Sequence, residues 1–248
     1  MTRSPARPVP APPDVAAPDE PYADTTVGPP RPPTGWRRLT SGRRWGRHGI
    51  ELAVGAGLFL VSRVLLDERK DVVSGWEVDL FRMVNDLPDA LRWPLWPVMQ
   101  LGNFWMVSVG AVIAYLVTKR VAPALAVATA VLSAWILAKF IKRLLERGRP
   151  AELLDDVHLR ESGIHGRGYV SGHVAIAFAV ATVLTPLLPG RWRYVPFTLA
   201  AGVGFARVYY GAHLPLDVLG GAGVGILCGV AASVAFGTGR PGRPASAE

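Results

Sequence analysis

Three short groups of residues stand out by type and order: Lys142 with Arg149-Pro150, then Ser171-Gly172-His173, then Arg207, His213 and Asp217. Cations and two histidines brought to one place would repel unless an anion sat between them, and phosphate is the obvious anion. His213-Leu214-Pro215-Leu216-Asp217 sets a carboxylate four residues after an imidazole, with Pro215 tolerated in a first helical turn. On a helix that spacing lets Asp217 accept a hydrogen bond from one ring nitrogen of His213, fixing the tautomer and leaving the other nitrogen to attack phosphorus. Ser171-Gly172-His173 precedes the apolar run Val174–Leu184, so a helix N-terminus can point its N–H groups at an anion, and Gly172 permits close approach.

What gathers these groups is the hydrophobic pattern. Half of the 248 residues are hydrophobic, and the mean hydropathy is +0.26. Six apolar stretches recur, at about Ile50–Leu66, Leu95–Val117, Val121–Phe140, Val174–Leu188, Val195–Tyr210 and Leu216–Phe236. A hydrocarbon core roughly 30 Å thick needs about 20 helical residues, so an all-α bundle of six transmembrane helices is expected. Alternation of the spans then brings Lys142, Arg149, Ser171, Gly172, His173, Arg207, His213 and Asp217 to the same membrane face. The tryptophans Trp93, Trp96 and Trp192 fall near span ends, as interfacial residues do.

Orientation is read from the basic residues. Arg37, Arg38, Arg43, Arg44, Arg47, Lys119, Arg120, Arg191, Arg193, Arg240 and Arg243 fall on one side, expected to be cytoplasmic together with both termini. The opposite connection Asp67–Arg92 holds seven acidic residues against four basic ones. The connection after the third span breaks this rule with Lys142, Arg143, Arg147, Arg149, Arg160 and Arg167, which the anion accounts for. Arg143, Arg147, Glu146 and Glu152 are read as solvated charges or local ion pairs, Glu51 and Arg63 as interfacial or paired in the bundle, and His158 and His165 as capping or interfacial residues.

The net charge of +8 does not indicate nucleic acid, because the arginines lie beside long apolar runs. A single cysteine, Cys228, forms no disulfide framework or cysteine metal site within the chain. Residues 1–36, which include 11 of the 22 prolines, read as a disordered cytoplasmic tail without a signal-peptide core. Residues 37–238 form the membrane domain, and 239–248 a short tail. Gly220, Gly221, Gly223, Gly225 and Gly229 point to close helix packing in the last span.

The ordered groups Lys142-(six residues)-Arg149-Pro150, Ser171-Gly172-His173 and Arg207-(five residues)-His213-(three residues)-Asp217 resemble the signature of the type 2 phosphatidic acid phosphatase superfamily, which includes vanadium haloperoxidases. Val170 stands where proline usually precedes the serine, and Ala206 where serine usually precedes the arginine. The resemblance implies an integral membrane phosphatase with no metal or other cofactor. In it His213 would be the nucleophile, Asp217 its orienting carboxylate, and His173 the acid that protonates the leaving oxygen. Lys142, Arg149, Arg207, Ser171 and Gly172 would hold the phosphoryl group. The expected substrate is a membrane lipid phosphate at the extracytoplasmic face, such as phosphatidate, phosphatidylglycerol phosphate or a polyprenyl pyrophosphate, cleaved through a phosphohistidine. A phosphotransferase would share that site. An anion transporter would place its charges nearer the membrane midplane.

Overall fold

The computed structural model describes residues 42–66, 72–163 and 166–238, and every regular element among them is helical. In chain order the α-helices are α1 (Gly42–Leu65), α2 (Gly75–Asn85), α3 (Arg92–Gln100), α4 (Met106–Thr118), α5 (Val121–Leu145), α6 (Pro150–Leu153), α7 (Gly172–Leu184), α8 (Val195–Tyr209) and α9 (Pro215–Ala235). Short 3-10 turns lie at Asp89–Leu91, Thr185–Leu187 and Gly190–Tyr194. The N-terminal tail, the C-terminal tail and His165 lie outside the described residues.

Gly46–Leu65, Val121–Leu153 and Pro215–Ala235 are long and apolar enough to cross a membrane, whereas Met106–Thr118 and Gly172–Leu187 are apolar but shorter. Large apolar side chains such as Val64, Val112, Leu132, Ile136 and Phe140 are exposed on the outer faces. A surface of that kind is at rest only in a nonaqueous solvent.

α9 is the central helix. Two-thirds (67%) of its apolar window is buried, against 11% in α1, and it packs on α7, α1 and α5. Its glycines are the reason it can. A methyl at Gly223 would lie 2.6 Å from the Gly55 carbonyl oxygen of α1, and one at Gly229 would lie 2.5 Å from Thr182 Cβ of α7. Backbones approach that closely only where the side chain is a hydrogen. Cys228 sits buried in the same core.

Two parts of the chain differ from the sequence expectation. The apolar stretch Leu95–Val117 is not one helix but two, α3 and α4, with a break over residues 101–105. The break serves packing: a methyl at Gly102 would fall 2.7 Å from both Cβ and the carbonyl oxygen of His173. The acidic connection Asp67–Arg92 contains α2, with Glu77, Phe81 and Asn85 buried on one face.

α2 is tied to the end of α8 through polar contacts. Asn85 Nδ2 donates to the carbonyls of His158 (3.1 Å) and Tyr209 (3.0 Å). Arg160 donates to the carbonyls of Asn85 (2.7 Å), Leu87 (2.9 Å) and Tyr209 (2.8 Å) and lies over the Tyr209 ring. The loop after α6 is thereby held across the helix ends. His158 itself points outward, 3.7 Å from Asp86, in keeping with an interfacial reading.

Candidate functional site

The helix ends converge on one cavity of about 410 Å³, whose lining includes Lys142, Arg149, Gly172, His173, Arg207 and His213. All six come from the three sequence groups. Ser171 and Asp217 are fully buried behind the wall and do not line it.

Lys142, Arg149 and Arg207 are each positioned by oxygens of the loops that cross the helix ends. Lys142, in the last turn of α5, donates to the carbonyls of Arg167 (2.7 Å) and Gly168 (2.9 Å). The helix stops just beyond it, where Glu146 takes a left-handed conformation (φ 48°). Arg149 stands at the start of α6 and donates to the carbonyls of Gly166 (2.8 Å) and Ala212 (2.9 Å). Arg207, in the last turn of α8, pairs with Glu161 (2.6 Å) and approaches the Met99 sulfur (3.3 Å). Its Nε and the Ser171 hydroxyl are buried without a hydrogen-bond partner among the described residues. An unpaired buried donor is costly, and an anion entering the cavity would give the guanidinium an acceptor.

His213 lies between α8 and α9, 2% exposed. Its Nδ1 is 3.3 Å from Asp217 Oδ2, and the same oxygen accepts the Leu214 N–H at 3.0 Å. Asp217 therefore both caps α9 and fixes the imidazole, which follows from its place in the first turn after Pro215. Nε2 remains as the nitrogen available to the cavity. Burial above all, then the charges of Lys142, Arg207 and Arg149 and the neighbouring His173, pushes the His213 imidazole well below its usual range. The ring is neutral at pH 7, the form in which nitrogen carries a lone pair. Across the cavity His173 Nε2 lies 2.9 Å from Asn103 Oδ1, in the break between α3 and α4.

The other oxygen of Asp217 reveals a group that sequence reasoning missed. Arg147, read above as a solvated charge or a member of a local pair, is 5% exposed. It donates to Asp217 Oδ1 (2.9 Å) and, with both terminal nitrogens, to Glu77 of α2 (2.6 and 3.2 Å). Glu77 Oε1 also accepts the Leu216 N–H at 3.0 Å. Two buried carboxylates thus share one guanidinium directly behind the histidine. The spacing Arg147-Gly148-Arg149 held a hint, since consecutive odd positions in an extended segment face alike, but Glu77 is 70 residues away and carries no local signal. Asn103 and Glu161 were likewise invisible.

Other minor readings hold. Arg143 and Arg63 are exposed, Glu152 accepts the Arg149 N–H at 3.1 Å as a local partner, and Glu51 pairs with Arg47 at 3.1 Å. The two departures from the family pattern are both packing positions. Val170 is in the main core with Tyr169, and Ala206 is enclosed by Met99, Tyr209 and Tyr210. Among the described residues no group of three or more His, Cys, Asp or Glu side chains is placed to hold a metal.

The crystal structure of Aquifex aeolicus LpxE superposes with a TM-score of 0.59 at 30% identity, covering 66% of this chain and 97% of that one. A family model described as PAP2 superfamily matches residues 123–240, the interval that contains every cavity cation and both histidines. The chain belongs to the PAP2 superfamily.

Among PAP2 relatives, the bacitracin transport permease protein BcrC of Bacillus licheniformis is 28% identical over 62% of this chain and 77% of its own length. The undecaprenyl-diphosphatase of Sulfolobus acidocaldarius is 26% identical over 59% of this chain and 72% of its own. The protein is a membrane lipid phosphatase of the PAP2 kind, a phosphoric ester hydrolase. Its apolar helices and relatives give it a membrane location.

Proposed function

We propose that this PAP2 protein hydrolyses the terminal phosphate of a membrane lipid phosphate through a phosphohistidine on His213, without a metal. The observation that carries this reading is the pairing of His213 Nδ1 with Asp217 at 3.3 Å on the wall of a cavity shared with Lys142, Arg149, Arg207 and His173.

The neutral His213 attacks phosphorus through Nε2, and the bond from phosphorus to the lipid oxygen breaks. Lys142, Arg149, Arg207 and the N-terminus of α7 at Gly172 hold the phosphoryl oxygens as charge shifts in the transition state. Ser171, fully buried behind the wall, sets the start of α7 so that Gly172 meets the cavity. The imidazolium that forms is stabilised by Asp217, which Arg147 and Glu77 keep in register. His173 protonates the departing oxygen. It does so through Nδ1, or through Nε2 once that oxygen takes the place of Asn103 Oδ1. Water then attacks the phosphohistidine and passes a proton to His173 as the bond from phosphorus to Nε2 breaks, releasing inorganic phosphate and restoring both histidines.

Six spans are the reading that accommodates α1, α3 with α4, α5, α7, α8 and α9, with both termini cytoplasmic and the cavity on the extracytoplasmic side. The asymmetry of the arginines supports it. Phosphatidate, phosphatidylglycerol phosphate and polyprenyl pyrophosphate share the headgroup chemistry, and one relative, the undecaprenyl-diphosphatase, favours the last. Transfer to an acceptor other than water would use the same phosphohistidine. An anion transporter is disfavoured by the charges lying at helix ends rather than at mid-span. Phosphate release from these three lipids by detergent-purified protein tests the reading. Wild-type protein should release phosphate from at least one and the His213→Ala protein from none; equal release by both would refute it.

A further inference from the structure

One cavity cation is not used by the chemistry above. Lys139 is the only charged residue between Val121 and Ile141, and it lines the same cavity as Lys142 and His213. It stands three residues before Lys142 on α5, hence on the same helical face, with β-carbons roughly 5–6 Å apart. Its side chain is exposed, and its Nζ rests 3.8 Å from the centroid of the Trp135 ring. Among the described residues no carboxylate pairs with it, whereas Lys142 is engaged by two carbonyls and Arg207 by Glu161. A lysine in an otherwise apolar span is costly and is retained where it faces a polar pathway or a ligand.

The cavity beside it is more than a phosphate pocket. Phe104 and Trp135, with ring centroids 5.4 Å apart, and Ile176 form an apolar wall on the cavity. The volume of about 410 Å³ exceeds what one phosphoryl group fills. The room, the apolar wall and a second cation one helical turn from the first describe a place for a leaving group that is both lipidic and anionic.

We propose that Lys139 is a specificity-determining subsite for the second phosphate of a lipid diphosphate, so that the preferred substrate is a lipid diphosphate rather than a lipid monophosphate. This rests on the phosphohistidine reading of the site. In the reaction the terminal phosphorus bonds to His213 Nε2 and its bond to the bridging oxygen breaks. The electron pair leaves with that oxygen, which takes a proton from His173. Lys139 donates hydrogen bonds to the non-bridging oxygens of the departing lipid phosphate, with Trp135 fixing the ammonium from its other side. Water completes the cycle, giving one inorganic phosphate and one lipid monophosphate per diphosphate consumed. A monoester such as phosphatidate departs as a neutral alcohol and gives Lys139 nothing to hold.

The test compares the full-length wild-type protein with Lys139→Met and Lys139→Arg in detergent micelles, measuring kcat/KM for farnesyl diphosphate, farnesyl monophosphate and dioleoyl phosphatidate. Loss of one charge-assisted hydrogen bond to the leaving group should lower the Lys139→Met value on the diphosphate roughly tenfold or more. The values on both monoesters should stay within about twofold, and Lys139→Arg should keep most of the diphosphate activity. Equal losses on all three substrates, as expected of a lysine that only anchors α5 at the interface, would overturn the subsite. So would an unchanged value on the diphosphate while the monoesters are turned over, a result that leaves the phosphatase reading intact. Failure of the wild-type protein to release phosphate from any of the three would overturn both.

Discussion

Replacing Arg147 by methionine removes a cation held between two buried carboxylates, Glu77 at 1% exposure and Asp217 at 0%. Three hydrogen bonds of 2.6, 2.9 and 3.2 Å disappear with it, and no solvent is at hand to replace them. Breaking a buried ion pair by deleting one partner costs about 3–5 kcal/mol, because the remaining charge is left uncompensated. For a chain of this length that lowers Tm by on the order of 10 °C. Activity should fall for a separate reason. Asp217 still reaches His213 and the Leu214 N–H through Oδ2, but it loses the anchor on Oδ1, and a misplacement of about 1 Å at a reacting group costs roughly 10²-fold. The double variant Arg147→Met with Glu77→Gln separates the two effects, since it removes one of the stranded carboxylates. Its thermal midpoint in detergent should recover part of the loss, while kcat should stay depressed by about 10²-fold. A single Arg147→Met protein with the wild-type midpoint and wild-type kcat would refute the argument that this guanidinium supports the nucleophile.

Three further outcomes follow from the same geometry. His173→Ala should slow substrates with basic leaving oxygens by about 10² to 10⁴-fold yet barely affect p-nitrophenyl phosphate, whose leaving group needs no proton; a uniform loss would argue against an acid role. The depressed His213 imidazole predicts a pH effect on stability. Below about pH 6.5 the unfolded chain binds a proton that the native site refuses, so stability falls with pH by at most about 1.4 kcal/mol per unit and is unaffected above. Thermal scans between pH 7 and 4.5 should show that slope reduced in His213→Asn, and identical slopes would contradict it. Turnover should survive chelators and be inhibited by vanadate, which mimics the five-coordinate phosphorus; loss of activity in EDTA restored by a divalent metal would contradict the metal-free site.

The amino-acid sequence reveals those parts of the site whose partners are local or whose chemistry is unusual. Asp217 four residues after His213 is legible because the helical repeat dictates the contact, and Pro215 marks the turn in which it occurs. The cations are legible because charges beside apolar runs demand a reason. The glycines of α9 are legible as a packing face, which the contacts to Gly55 and Thr182 bear out. Long-range pairings are not. Glu77 belongs to a connection whose acidic composition reads as solvent-facing, and only the docking of α2 against the end of α8 turns it inward. Arg147 looks like its neighbour Arg143 in the sequence, yet one is buried and the other exposed. The break between α3 and α4 is equally hidden, since hydropathy runs smoothly across Gly102 and the requirement for it comes from His173, 71 positions later.

The central claim is a covalent bond between phosphorus and His213. Protein incubated briefly with a ³²P-labelled lipid phosphate and quenched in denaturant should carry label that is stable to base and released by acid, the signature of phosphohistidine. The wild-type protein should retain that label, Asp217→Asn should accumulate it more slowly, and His213→Ala should carry none. Undiminished base-stable label on the His213→Ala protein would contradict the assignment of His213 as nucleophile.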